Sequence, residues 1–202
     1  MIAKSRNHRS PKHSKNSPYQ DRPAFRKTQR TRLKNRSAIT FRITIYTPTV
    51  EVVTIRNAIP SEKAALEALQ LRASLANEGD REALLANPDA IEQPIEQIIS
   101  GNVFVLELGG QIAGFAALLP RPDGDMELDG LFVETHARRR GVGRLLVEHC
   151  AKIALARGSR ALCVIGNPHA QEFYLSCDFV PIGRVETRFG PGQQMKRQLK
   201  AD

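Results

Sequence analysis

From residue 51 onward the apolar positions switch between a period of two and a period of 3.6, and each switch marks a new element. Residues 51–56 are dense in β-branched side chains and predict a first strand. Pro60, Ser61 and Glu62 predict a helix entry. Ala64, Leu66, Leu69 and residues 71–75 continue that helix, and residues 77–80 break it. Residues 81–86 and 91–99 predict two further helical pieces, parted by Asn87 and Pro88. Two strand-like runs, 103–108 and 111–119, flank Gly109-Gly110, which is the signature of a two-residue hairpin turn.

After a turn at residues 121–124, a strand is expected over residues 126–133. Residues 141–157 predict an amphipathic helix with Leu145, Leu146, Cys150 and Ile153 on one face and Gly158 as its C-terminal cap. A short buried strand (162–165), a short helix (170–176) and two last strands (180–185 and 194–199) follow. The order is β-α-α-β-β-β-α-β-α-β-β, a mixed α/β chain. Ahead of it, residues 41–46 alternate and predict a short strand that Pro48 interrupts.

The segment between the strand at 126–133 and the long helix carries the most chemistry. It reads Arg138-Arg139-Arg140-Gly141-Val142-Gly143-Arg144. A strand, a glycine-bearing turn and a helix N-terminus together make an anion site. Backbone N–H groups converge there, and the helix adds about half a positive charge. Gly141 and Gly143 lack a Cβ, so a phosphate can approach the backbone closely. The spacing excludes the common phosphate loops. Nothing fits G-x-x-x-x-G-K-[ST], and position 146 is Leu where a dinucleotide fingerprint needs a third glycine. What remains is Arg-x-x-Gly-x-Gly after a strand and opening a helix.

That motif, in that context, resembles the coenzyme A loop of the GCN5-related N-acetyltransferases, the GNAT superfamily. The resemblance runs from about residue 52 to residue 199. It implies a mixed central sheet of six to seven strands flanked by about four helices, the GNAT-type acyl-CoA N-acyltransferase fold, over residues 49–202. It further implies that acetyl-CoA lies along the strand at 126–133 as a co-substrate. Backbone groups of Leu131, Phe132 and Val133 would meet its pantetheine arm, and a backbone N–H there can steady an oxyanion. The diphosphate would sit on Arg138, Arg139, Arg140, Gly141, Val142, Gly143 and Arg144, with one of the arginines placed for the 3′-phosphate. Asn167-Pro168-His169-Ala170 resembles the family's Asn-x-x-Ala turn, whose Asn meets the pantetheine; Asn is also a favoured helix cap.

Phe173-Tyr174 followed by Cys177-Asp178-Phe179 resembles the family's Phe-Tyr-x-x-x-Gly-Phe. By that match Tyr174 is the candidate general acid for the leaving thiolate, a role suited to a phenol with a pKa near 10. Asp178 departs from the usual Gly, but Asp tolerates a left-handed backbone better than most residues. An amine acceptor arrives protonated and needs a base. Glu127 and Asp129 stand beside the reacting centre at i and i+2, on one face unless a bulge intervenes. Arg188 and Phe189 lie in a Gly/Pro-rich connection, residues 187–195, which the resemblance places over the acceptor pocket. His136, His149 and His169 have no metal spacing, and no metal is expected.

Charge changes the picture at one end only. Residues 1–40 hold twelve Lys and Arg against one acid, Asp21, whereas the remainder holds 18 bases and 20 acids. Such an arm cannot bury enough apolar surface to offset its ordering entropy, so residues 1–48 are expected to be a disordered basic arm. Three readings of it stay open: a solvated extension or upstream start, an arm giving weak salt-dependent contact with nucleic acid or ribosome, and a mitochondrial targeting segment. Cys150, Cys163 and Cys177 are scattered and odd in number, which suits a reducing compartment, and a cytoplasmic location is expected. No apolar run reaches the roughly 18 residues that a membrane helix needs.

The expected function is transfer of acetyl from acetyl-CoA to an amine, on a small molecule or a protein, by direct attack in a ternary complex. A non-catalytic acyl-CoA-binding module and a nucleic-acid-associated protein are the alternatives. A homodimer is suggested by family analogy alone.

Overall fold

The structure, a computed structural model, describes residues 51–76, 81–187 and 189–200. The basic arm at 1–48, the strand expected at 41–46, the break at 77–80 and Arg188 lie outside the described residues. In chain order the elements are β1 (Val53–Asn57), α1 (Lys63–Leu75), α2 (Arg81–Ala86), α3 (Ile95–Ile99), β2 (Val103–Leu108), β3 (Gln111–Pro120) and β4 (Met126–Val133). They continue with α4 (Val142–Ala156), β5 (Ala161–Gly166), α5 (Gln171–Ser176), β6 (Val180–Thr187) and β7 (Gly190–Gln198). The strands form one seven-stranded sheet in the order β1-β2-β3-β4-β5-β7-β6. Five helices flank it among the described residues, in keeping with the expected fold; α2 and α3 are short pieces of six and five residues. No helix among the described residues is long and apolar enough to cross a membrane.

Most elements follow directly from the pattern of the chain. Gly109 and Gly110 take φ of 56° and 81°, the positive values that a two-residue hairpin turn demands. Three local expectations need correction. The helix expected over 91–99 starts only at Ile95, because Pro94 supplies no N–H and stands as its N-cap. The buried face of α4 is Val142, Leu146, Val147, Cys150, Ala151 and Ala154, and Leu145 is 42% exposed. The Gly/Pro-rich segment at 187–195 is mostly strand: β7 begins at Gly190, and Gly192 pairs with Val185. Gly192 marks close packing and no turn, since a Cβ there would come within 2.6 Å of Ile165 Cγ2.

The sheet is covered on both faces. On one face Leu106, Ala116, Leu118, Leu128 and Val164 pack against Leu146, Val147 and Cys150 of α4. On the other, Val103, Val105, Phe115 and Ala117 pack against Leu66, Leu69 and Ala73 of α1 and Ile98 of α3. Along β4 the allocation of side chains to faces changes. Leu128 and Leu131, three apart, both pack on the α4 side, whereas Phe132 packs on the α1 side. A strict period of two forbids this, so one residue is extra. The register with β3 shows where: Ala117 faces Gly130 while Leu118 faces Leu128, leaving Asp129 as the bulged residue.

The neighbouring strand then leaves. β4 and β5 run parallel, but they pair only at Met126 with Leu162 and at Glu127 with Cys163. Asp125 holds that closed end. Its carboxylate accepts from Lys196 Nζ on β7 at 2.8 Å and from the backbone N–H groups of Arg160 (3.2 Å) and Ala161 (3.0 Å). These bonds, the lysine's first, hold the Asp125 carboxyl below the usual carboxylate range.

Two helices end alike. After α4, Ser159 N–H donates to Ala154 C=O and Gly158 N–H to Leu155 C=O, with Gly158 at φ 84°. After α5, Phe179 N–H donates to Tyr174 C=O and Asp178 N–H to Leu175 C=O, with Asp178 at φ 63°. Both are Schellman caps, and Asp178 keeps the turn in which the family usually has Gly, as expected.

Asp178→Gly removes the left-handed strain of a side chain there. It should stabilise the chain by roughly 0.5–1 kcal/mol and raise the thermal midpoint by a few degrees. Asp125→Asn should cost about 1.5–3 kcal/mol in urea unfolding at pH 7, the worth of hydrogen bonds to a charged group. Because the folded pKa of Asp125 is lowered, its contribution is present above its unfolded pKa and lost as pH falls through the folded one. The gap between wild type and Asp125→Asn should therefore close on acidification; a gap that persists below both values would contradict this.

Candidate active site

Where β4 and β5 part, a cleft of about 1020 Å³ opens. Its walls are residues 128–133 of β4, Val164, Ile165 and Gly166 of β5, and the loop at the start of α4. Asn167, His169, Phe173 and Tyr174 close one end, and Ala73, Ser74 and Ala76 of α1 another. Beyond Glu127 the side of β4 that faces β5 has no strand partner among the described residues, so an edge is exposed inside the sheet.

The loop is built to present N–H groups. Arg139 and Gly141 have φ of 60° and 83°, and α4 begins at Val142. Leu145 is the first residue to donate back, to Gly141 C=O at 3.0 Å. The N–H groups of Val142, Gly143 and Arg144 have no described acceptor, and they stand at the positive end of a fifteen-residue helix. Gly143 carries no Cβ because the Phe173 ring occupies the space: a Cβ would lie 3.1 Å from Phe173 Cζ. The loop is thus packed against α5, which carries Tyr174.

The four arginines do different things. Arg138 lines the cleft, but its Nη2 donates to Ala73 C=O at the end of α1 at 2.8 Å. A cation at a helix C-terminus is favourably placed, so this side chain has a structural partner. Arg72 of α1 pairs with the nearly buried Glu134 just after β4, which pins the loop to α1 a second time. Arg140 pairs with Glu51 and is not part of the cleft wall. Arg139 and Arg144 line the cleft, and Arg144 Nη2 donates to Ser176 Oγ at 3.2 Å.

Asn167 accepts from His169 N–H (2.7 Å) and Ala170 N–H (3.1 Å) through Oδ1, so it caps the turn while lining the cleft. Its amide NH2 is the group left for a ligand. Tyr174 is 8% exposed and lines the cleft. Its ring stands edge-on to Phe173 and Phe179, at centroid distances of 5.2 and 5.4 Å. Gly166 makes room for it: a Cβ there would lie 3.0 Å from Tyr174 Cε2. Burial among these apolar groups pushes the phenol pKa above its ordinary value.

The two candidate carboxylates are separated. Asp129, 7% exposed, lines the cleft and accepts from Gln97 Nε2 of α3 at 3.4 Å. Glu127 lines a different, small hollow and pairs with Arg121 at 2.7 Å. Phe189 is 4% exposed and is not on the cleft wall. His149 packs edge-on against Phe104 at 4.8 Å, and burial lowers its pKa. Among the described residues no cluster of His, Cys, Asp or Glu is set to hold a metal.

Of the residues singled out by sequence, Asp129, Leu131, Phe132, Val133, Arg138, Arg139, Gly141, Val142, Gly143, Arg144, Asn167 and Tyr174 share this one cleft. The resemblance places the region between the first and second strands at the acceptor pocket, but it singles out neither Ser74 on α1 nor Gln97 on α3 beside Asp129. No motif marks them, because the sheet order and not their spacing brings them to the cleft.

Residues 71–179 match the sequence model of the acetyltransferase (GNAT) family, which is more than half of the chain. This protein belongs to the GNAT acetyltransferase family, and it is an acyltransferase of the N-acetyltransferase kind. Solved structures agree in fold. A GCN5-related N-acetyltransferase from Rhodopseudomonas palustris is 26% identical, with 72% of this chain and 95% of that one aligned at a TM-score of 0.60. The PaiA N-acetyltransferase from Thermoplasma acidophilum, in complex with coenzyme A, is 15% identical over 73% and 99% of the two chains, with a TM-score of 0.61. N-acetylglutamate synthase from Neisseria gonorrhoeae, with coenzyme A and N-acetylglutamate, is 22% identical over 74% and 36%, with a TM-score of 0.57. At those identities the last two show the fold alone. No curated protein matches the chain.

If the loop seats the coenzyme's phosphates, as the resemblance implies, Gly143→Ala should weaken acetyl-CoA binding roughly tenfold, about 1.4 kcal/mol, because a methyl there crowds Phe173 and the loop. Isothermal titration checks it, and unchanged affinity would show that the loop is not the phosphate seat.

Proposed function

We propose that this chain acetylates an amine by direct attack on acetyl-CoA held along the parted edge of β4. The observation that supports this reading is the divergence of β4 from β5 after two residue pairs. It puts an unpaired strand edge, a donor-rich loop, a carboxylate and a buried phenol around one cleft. An extended amide-bearing arm can add to the free edge as a strand would, through backbone hydrogen bonds at Leu131 to Val133. Its diphosphate would meet the N–H groups of Val142, Gly143 and Arg144 and the side chains of Arg139 and Arg144.

In this reading the acceptor nitrogen forms a bond to the thioester carbon, and the carbon–sulfur bond breaks. The acceptor ammonium first passes one proton through Asp129, which lines the cleft as Glu127 does not, to solvent water; after attack the nitrogen gives its second proton to Asp129. Tyr174 gives its proton to the departing thiolate. A phenol holds its proton at neutral pH in any surroundings; burial raises the Tyr174 pKa further, so proton donation depends on its placement against the thiolate and not on its acidity. Water then returns one proton to the phenolate and takes one from Asp129, which restores both groups.

Acetyl-CoA at about 100 times its Kd should stabilise the full chain by about 2.7 kcal/mol, a thermal shift of several degrees that NAD and ATP do not give. Thiol release from acetyl-CoA with a panel of amines (polyamine, aminoglycoside, amino acid, lysyl peptide) then finds the acceptor. Tyr174→Phe should lower kcat about 10²-fold, and Asp129→Asn about 10²- to 10⁴-fold, with the acetyl-CoA affinity of both near wild type. Undiminished turnover in Tyr174→Phe would remove the phenol from the mechanism.

A further inference from the structure

Asp129 sits at the bulged position of β4, past the last residue that pairs with β5. A base must nevertheless be held within a fraction of an ångström of its working geometry. The brace comes from α3. Gln97 Nε2 donates to Asp129 Oδ2 at 3.4 Å, and Gln97 Oε1 accepts from Gln93 Nε2 at 2.6 Å. That second bond fixes which way the Gln97 amide faces. With its oxygen taken by Gln93, the NH2 is the end that remains for the carboxylate.

Gln93 is itself anchored. It is 1% exposed, and its backbone N–H donates to Glu67 Oε1 on α1 at 3.0 Å. Glu67 is paired in turn with Lys63 one turn earlier. The segment before α3 hangs from α1 at another point, where Gln70 Nε2 donates to Ala90 C=O at 3.0 Å. The Gln97 backbone is held as well: its N–H donates to Pro94 C=O (3.1 Å), and its C=O accepts from Asn102 N–H (3.0 Å). Buried amides need partners, but a packed apolar residue would satisfy the core just as well. Here two successive amides point their donors the same way, toward the cleft.

We infer that Gln97, oriented by Gln93, is a positioning residue that holds the Asp129 carboxylate for the acceptor amine. The donation to Oδ2 sets the orientation of the carboxylate on the cleft wall. A contact of 3.4 Å is loose and tightens when the acceptor is bound, as hydrogen bonds in resting sites commonly do. The inference rests on the proposed role of Asp129.

The test is thiol release from acetyl-CoA by the full chain, with the first amine of the panel above that is turned over, in a double-mutant cycle. Gln97→Glu keeps the size of the side chain and the bond from Gln93 but removes the donor. Gln97→Leu removes both, and Gln93→Leu frees the Gln97 amide without touching it. Each should lower kcat roughly tenfold, a part of the 10²–10⁴ that a base supplies, with the KM for acetyl-CoA unchanged. In an Asp129→Asn background the same changes should cost nothing further, which a merely structural role would not produce. Wild-type kcat in Gln97→Glu, or an equal loss in the Asp129→Asn background, would overturn the inference alone. A wild-type enzyme that turns over no amine, or an Asp129→Asn variant at full kcat, would overturn the reading beneath it as well.

Discussion

Everything in this protein that bears on function follows from two parallel strands that pair at one end and part at the other. β4 and β5 share only the pairs Met126–Leu162 and Glu127–Cys163. Asp125 ties that end through Lys196 and the N–H groups of Arg160 and Ala161, so the strands stay joined there and open beyond it. The bulge at Asp129 comes immediately after the paired end. It re-aims β4 and leaves the carboxylate at the mouth of the opening. A regular pair of strands would have buried the same residues and exposed no edge.

The opening has one charged wall and one dry wall. The charged wall is the start of α4, held in place by contacts that have nothing to do with ligand. Arg138 reaches the end of α1, Arg72 reaches Glu134, and Phe173 fills the space above Gly143. These contacts fix the free N–H groups in advance, so binding an anion there requires little reorganisation. The dry wall is Phe173 and Tyr174, backed by Phe179, and burial there raises the Tyr174 phenol pKa. The two walls meet through Phe173, which packs on both Gly143 and Tyr174, so the start of α4 and the phenol are mechanically linked.

Much of this was legible in the chain before the structure. Local rules set the Gly109-Gly110 hairpin, the bounds of β4 and the start of α4, because turn glycines and unbroken apolar runs act over a few residues. Asp178 was legible for the same reason: a left-handed position needs a residue that tolerates it, and the Schellman cap shows that it does. What could not be read was anything that depends on which strand lies beside which. Glu127 and Asp129 looked equivalent until Arg121 claimed one and the bulge turned the other to the cleft. Gly190, Pro191 and Gly192 looked like a loop but are strand, because Gly192 is needed for close packing on Ile165. Gln93 and Gln97 carry no motif, and only their meeting with α1 and β4 gives them meaning.

The central claim is that the coenzyme adds to the parted edge of β4, with its diphosphate on the loop before α4. Amide hydrogen exchange of the full chain, with and without saturating acetyl-CoA, tests it residue by residue. The account predicts slowed exchange at Leu131 to Val133 and at Arg139 to Arg144, with β6 unchanged. Unchanged exchange at both stretches under saturating acetyl-CoA, or protection confined to other strands, would contradict it.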